Sequence, residues 1–241
     1  MTFTTIDYTT IPNDQLDAFH TADGKLHLFN NFACPFGNRA LWTAIETHAP
    51  FDVIEVPLKD QPASYGEKFN RYETVPYLLD NGFAVYESSL IAQYLDAKFN
   101  DGALHRAKDP QAASIAQLVV AKFEIGALYK YLRTADDKDK QDVVAVLTEI
   151  ETIYREHAKA FRAQGPYLLG AELSSAEINL GPFLYRFDIL FRHYRKFELL
   201  AAFPLLHAVL EAIKARPTFK QTVHEPDHYI EQYASRITAS P

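Results

Sequence analysis

The stretch that most restricts what this chain can become runs from Phe29 to Trp42: Phe-Asn-Asn-Phe-Ala-Cys-Pro-Phe-Gly-Asn-Arg-Ala-Leu-Trp. It holds the single cysteine of the chain, Cys34. A short apolar run of strand character (Leu26, Leu28, Phe29) stops at Asn30 and Asn31, and a helical pattern starts at Pro35. Proline is accepted in the first helical turn, where its missing N–H has no intrahelical partner anyway. The order predicts a strand, a short loop and a helix with Cys34 at its head. The unpaired amides and the positive dipole end of that helix favour an anion, and a thiol placed there ionises more readily than one in solution. Two readings of Cys34 stand side by side: a small buried hydrophobe or a nucleophile. Its place before the helix instead of within it favours the second. Gly37 stands where a Cys-x-x-Cys oxidoreductase carries its resolving thiol, so redox work by Cys34 requires a thiol from another molecule.

Composition narrows the class. With 241 residues and 48% hydrophobic residues the chain can build one large or two small cores, which excludes disorder as a whole-chain reading. A formal net charge of −7, without a Lys/Arg block, argues against nucleic acid and against an anionic membrane surface as main partner. One cysteine cannot close an internal disulfide, and a reducing, cytoplasmic setting is the simplest expectation. The start of the chain lacks the pattern of a signal or transit peptide. The longest apolar run, Leu199 to Leu210, contains Pro204 and His207, and no segment is expected to cross a bilayer as a helix.

Residues 1–24 read as an extended arm closed by the turn Ala22-Asp23-Gly24. Strand patterns follow at Leu26 to Phe29 and Phe51 to Val56, with a helix over Phe36 to Glu46 between them, which suits a parallel crossover. A loosely helical link spans Gln61 to Tyr72. Val75 to Leu79 and Phe83 to Tyr86 flank Asp80-Asn81-Gly82, a hairpin signal. An amphipathic helix then carries Leu90, Ile91, Tyr94, Leu95 and Phe99. Residues 25–99 thus read as one β-α-β-α-β-β-α domain, 100–110 as a polar linker, and 111–241 as an all-α domain. The latter holds long helices over Gln111 to Leu132 and Lys138 to Phe161. A further helix starts at the capping box Ser174-Ser175-Ala176-Glu177, and an irregular tail starts at Pro226.

Cys-Pro-Phe after the first strand, Val-Pro opening the third and Glu-Ser before the third helix, in this frame, resemble the thioredoxin-like domain of glutathione transferases. The helical half matches through Gly170-x-x-x-Ser174-x-x-Glu177, where the family usually has Asp in the last position. The resemblance covers roughly Lys25 to Phe219 and is strongest with cysteine-type members, the omega class above all. It implies a glutathione transferase fold: an α/β thioredoxin-like N-terminal domain plus an all-α helical C-terminal domain.

The resemblance also assigns expected roles. Cys34 is the catalytic nucleophile. Ser88 is a candidate N-cap whose hydroxyl and neighbouring amides hold the γ-glutamyl carboxylate of glutathione, and Glu87 holds the γ-glutamyl ammonium. Val75, before a Pro76 that is cis in the family, binds the cysteinyl unit through its backbone. Lys59 approaches the glycine end, with an ordinary surface lysine as the alternative. Phe36 packs near the ligand or only in the core. Trp42, Phe123, Tyr129, Tyr131, Phe187 and Tyr194 are aromatics that core packing explains as well as an acceptor pocket does. His224-Glu225-Pro226-Asp227-His228 has the spacing of a zinc-protease motif, but Pro226 disfavours the helix it needs, and no metal is expected. The implied activity is a glutathione-dependent thiol transferase or reductase, with glutathione as co-substrate and a small hydrophobic or disulfide partner. Alternatives are conjugation of electrophiles, a non-catalytic binding module of the same fold, and a relative of intracellular chloride channels. A homodimer is implied by resemblance alone.

Overall fold

The structure is a computed structural model that describes residues 3–161 and 165–237. The first two residues of the expected arm and the last four of the expected helical domain lie outside the described residues. The chain forms two compact units. One runs to Gly102 and takes in Gln221–Val223; the other holds Ala103–Lys220 and continues from His224.

The first unit is built on a five-stranded sheet: β1 (Thr5–Asp7), β2 (Leu26–Asn30), β3 (Phe51–Glu55), β4 (Tyr77–Asp80) and β5 (Phe83–Val85). The strand order is β1-β3-β2-β4-β5. β3 lies parallel to both β1 and β2, while β2–β4 and β4–β5 are antiparallel. The helices are α1 (Pro35–Glu46), α2 (Ala63–Lys68) and α3 (Ser88–Phe99). The β4–β5 turn places Asn81 at φ +51° and Gly82 at φ +82°, the positive-φ pair of a tight hairpin.

Every residue of β2 is buried, because both faces of the sheet are covered. Leu26 and Leu28 point with Val53 and Leu78 into one core, against Leu41, Ile45, Ile91 and Leu95 of α1 and α3. Phe29, Ile54, Tyr77 and Leu79 face the opposite core, with Tyr65 and Phe69 at α2. The period of two in each strand separates these sets.

The segment before Gly24 departs from the expected arm. It adds the edge strand β1 and two 3₁₀ segments, Tyr8–Thr10 and Asn13–His20. Tyr8 and Leu16 are buried in the second core. α2 is short, six residues, and covers only part of its face; the N-terminal segment completes the cover.

The second unit contains α4 (Pro110–Lys122), α5 (Ile125–Thr134), α6 (Asp137–Thr152), α7 (Ser175–Arg195), α8 (Pro204–Ala215), α9 (Pro217–Lys220) and α10 (Pro226–Tyr233). α7 is its axis, with Ile178, Leu180, Phe183, Leu184, Phe187, Leu190 and Phe191 fully buried. Ser174 and Glu177 make the expected capping box. The expected linker is not wholly outside a unit: Leu104 is buried, and its carbonyl accepts the Ser175 N–H at 2.7 Å.

Several long helices are shorter than their periodicity suggests. The first breaks at Phe123–Glu124, and α6 ends in a π turn over Ile153–His157. Pro204 opens α8 at its first position, where the ring is tolerated. The expected tail instead forms α10, with Tyr229 and Tyr233 buried. The stretch Pro110–Thr134 is long and apolar enough, by length and composition, to cross a membrane, which corrects the expectation that no segment is. Its helical run is interrupted at Phe123–Glu124, and α4 and α5 both pack on α6 and α7.

Candidate active site

Asn31, just after β2, builds the loop that carries the cysteine. Its Oδ1 accepts the Ala33 N–H at 2.9 Å, its carbonyl accepts the Cys34 N–H at 3.0 Å, and its Nδ2 donates to the Val56 carbonyl at 2.9 Å. Cys34 then takes the N-cap position of α1 with Pro35 directly behind it, as the sequence pattern predicts. The thiol makes no capping hydrogen bond. It is half-buried and points across to the Val75 carbonyl oxygen, 3.8 Å away.

Val75–Pro76 is a cis peptide bond, and β4 begins only at Tyr77, two residues later than the strand pattern suggests. The loop before it is held from below. The Thr74 carbonyl accepts the Tyr65 hydroxyl at 2.7 Å and Asn70 Nδ2 at 2.7 Å. Burial pushes the Tyr65 phenol well above its ordinary pKa, so it remains a donor to that carbonyl.

Phe36, Thr74, Val75, Pro76, Glu87 and Ser88 line one cleft of about 190 Å³. Five of the residues expected to bind glutathione therefore share a single wall system, drawn from α1, the cis-proline loop and the start of α3. Lys59 is not brought into it: it stands exposed on the loop after β3 and is not among the lining residues.

The start of α3 corrects one role. Ser88 is not the N-cap. Glu87 holds that position at φ +63°, ψ 123°, and Ser88 is the first helical residue. A glutamate at positive φ is uncommon, and such backbone clusters at functional sites. The Ser88 hydroxyl oxygen accepts Arg39 Nη1 at 2.9 Å, which leaves its own hydrogen to be donated. Both residues are buried, and the guanidinium carbon lies 5.7 Å from the centre of the Phe36 ring. Arg39 thus places a buried positive charge directly behind the cleft.

Sequence reasoning missed Arg39, Thr74, Tyr65 and Asn70. Arg39 carried a signal: it is the one charged residue between Cys34 and Ile45. The other three act across loops and carry none. Of the candidate acceptor-pocket aromatics, Trp42, Phe123, Tyr131 and Phe187 are buried core residues, while Tyr129 and Tyr194 are half-buried.

Near the C-terminus, the His224 and His228 rings lie 4.5 Å apart, and the Arg186 guanidinium lies 3.6 Å from the Tyr229 ring centre. Among the described residues no group of three or more His, Cys, Asp or Glu side chains is arranged to hold a metal ion.

Two family models match the chain: the glutathione S-transferase N-terminal domain over residues 28–103 and the glutathione S-transferase C-terminal domain over residues 115–222. Among curated relatives, Protein IN2-1 homolog A of Oryza sativa subsp. japonica is 31% identical over 209 residues, 85% of this chain and 82% of that protein. Probable glutathione S-transferase DHAR1, cytosolic, of the same plant is 26% identical, covering 86% of this chain and 91% of that one. Among solved structures, Leishmania TDR1, described as a unique trimeric glutathione transferase, superposes with a TM-score of 0.83 at 28% identity. That match covers 95% of this chain, which spans about half (51%) of the TDR1 chain. Matching family models over both halves, with a thioredoxin-like unit followed by a helical one, place this chain in the glutathione transferase family.

Proposed function

We propose that this chain is a glutathione-dependent thiol transferase or reductase of the cysteine type, working through a Cys34–glutathione mixed disulfide. The observation that carries the reading is the placing of the Cys34 thiol at the head of α1, 3.8 Å from the carbonyl of Val75, a residue that lines the cleft with Phe36, Thr74, Pro76, Glu87 and Ser88.

In this reading glutathione binds extended along those walls. The backbone of Val75 holds its cysteinyl unit. The Glu87 carboxylate holds the γ-glutamyl ammonium, and the Ser88 hydroxyl with the first amides of α3 holds the γ-glutamyl carboxylate. Arg39, bonded to Ser88, adds favourable charge for that anion.

The Cys34 thiolate attacks the glutathionyl sulfur of a glutathionylated substrate. The S–S or S–C bond to the substrate breaks, the substrate leaves with the electron pair and takes up a proton, and Cys34 retains the glutathionyl group. The thiolate of a second glutathione then attacks that sulfur, releasing glutathione disulfide and restoring Cys34. Gly37 supplies no resolving thiol, which makes the second glutathione necessary. Deglutathionylation and dehydroascorbate reduction are the reactions this chemistry serves, and a reducing compartment suits it.

The test is glutathione-dependent reduction of a small glutathione mixed disulfide by wild type and by Cys34→Ser. Turnover by the wild type and background rates for the variant are expected. Equal turnover by both, or none by either while glutathione binds, would reject the mechanism.

A further inference from the structure

Gly37 is the third residue of α1. A Cβ placed there would overlap Asn30 Oδ1, with Asn30 Cγ at 3.1 Å and the Asn31 carbonyl oxygen at 3.0 Å. Asn30, the last residue of β2, has no solvent exposure, and neither Oδ1 nor Nδ2 has a hydrogen-bond partner among the described residues. A buried carboxamide without partners is costly, and an aliphatic side chain would fill the same volume without that cost. What the carboxamide does here is occupy the ground under the first turn of α1. Asn30 is itself fully buried, so its carboxamide makes way for a Cβ at position 37 only by moving within a close-packed interior; glycine is the residue that fits without that shift.

We infer that Asn30 keeps Cys34 a monothiol: by excluding any side chain at position 37 it excludes a resolving cysteine from the first turn of α1. The inference rests on the thiol-transfer reading above and names the residue that forces resolution by an incoming glutathione. In the excluded route, a thiolate at position 37 attacks Cys34 Sγ in the mixed disulfide. The glutathionyl sulfur leaves with the electron pair and is protonated, and an internal disulfide remains. With glutathione disulfide as oxidant, the two protein thiols lose two electrons and two protons, and glutathione disulfide becomes two glutathiones.

Helix propensity alone makes Gly→Ala stabilising, so the sign of the effect is informative. Gly37→Ala should lower Tm by roughly 5 °C. In an Asn30→Ala background the same substitution should leave Tm level or raise it, the Asn31 carbonyl needing to move only a few tenths of an ångström. After treatment with glutathione disulfide, intact mass should show Gly37→Cys carrying one glutathionyl group at Cys34. The Asn30→Ala, Gly37→Cys protein should instead carry none and lack two hydrogens. A Gly37→Ala protein that gains stability with Asn30 intact overturns the inference. So does a Gly37→Cys protein that closes the internal disulfide with Asn30 intact, or a double variant that fails to fold. A Gly37→Cys protein that folds only once Asn30 is replaced supports it. A wild type that takes up no glutathionyl group rejects the thiol-transfer reading, and the sign of the Tm cycle still decides the packing claim.

Discussion

The Thr74 carbonyl is the point from which the cleft is set. It receives two donors, Tyr65 and Asn70, both buried, and the next residue presents the carbonyl that faces the thiol of Cys34. Neither donor lines the cleft; they act by positioning. Tyr65→Phe removes one of the two bonds, a change of about 1 kcal/mol. With the loop less constrained, the KM for glutathione is expected to rise about two- to tenfold while the far-UV spectrum stays that of the wild type. An unchanged KM would mean that Asn70 alone holds the loop. Tyr65 could not be found from the sequence because its partner lies nine residues away across an irregular segment. Cys34 and Pro35 could, because their roles are local to one helix start.

At the scale of elements, α7 and α10 each hang on a small polar group. Glu177 is fully buried and accepts four hydrogen bonds: from the Tyr154 hydroxyl at 2.7 Å, the Leu168 N–H at 2.8 Å, and the Ser174 N–H and hydroxyl at 3.0 and 2.7 Å. The carboxylate therefore caps α7 and also ties down two segments outside it. Glu177→Ala strands two buried backbone donors, each worth about 1–3 kcal/mol. Tm should fall by roughly 5–15 °C, measured by calorimetry; a fall of a degree or two would show that the segments find other partners. The half of this network that closes the capping box was legible from Ser174-x-x-Glu177. The half that reaches Tyr154 and Leu168 depends on tertiary placement.

α10 has a different sensitivity. His228 is half-buried with Nε2 lacking a partner among the described residues, and its ring lies against that of the more exposed His224. Burial, His224 and the fully buried Arg186 lower the pKa of His228, with Glu231 opposing; burial and Arg186 lower that of His224. Tyr185, pushed up to about 12 by burial and by Tyr229, stays neutral beside them. Below the unfolded value, about 6.5, the unfolded chain binds more protons than the folded one, so stability rises with pH in that window. The contribution is complete above about pH 6.5 and is lost as the pH falls toward the depressed folded values. His228→Gln should flatten the slope of unfolding free energy against pH between about 5 and 6.5. A slope identical to the wild type would assign the acid sensitivity to other groups.

For the whole molecule, the segment before Gly24 changes from appendage to part of the core. β1 covers the outer edge of β3 in register Thr5↔Val53 to Asp7↔Glu55. Tyr8 and Phe19 join the aromatic cluster of Phe29, Tyr65 and Phe69, where the Phe29 and Phe69 ring centres are 4.4 Å apart. A chain starting at Gly24 would open the β3 edge and one face of the sheet, and both are aggregation hazards. It is expected to elute as aggregate or to bind a hydrophobic dye where the full chain does not. A monodisperse truncated protein with the full-length Tm would reduce the segment to an accessory.

The sequence by itself determined whatever depends on residues near one another along the chain. Alternation separated the strands from the helices, Asn81-Gly82 set the hairpin, Pro35 put Cys34 at a helix start, and Ser174 with Glu177 began α7. Tertiary structure alone decided the rest. It gave Glu87 instead of Ser88 the cap of α3, with the serine hydroxyl bonded to Arg39. It left Lys59 outside the cleft and made packed elements of Thr5–Asp7, Asn13–His20 and Pro226–Tyr233. It also set Asn30 under Gly37. The physical reason is common to all of these. Propensity, capping and turn chemistry act over a few residues, whereas a partner for a buried polar group, or cover for a sheet face, comes from wherever the fold brings the chain back.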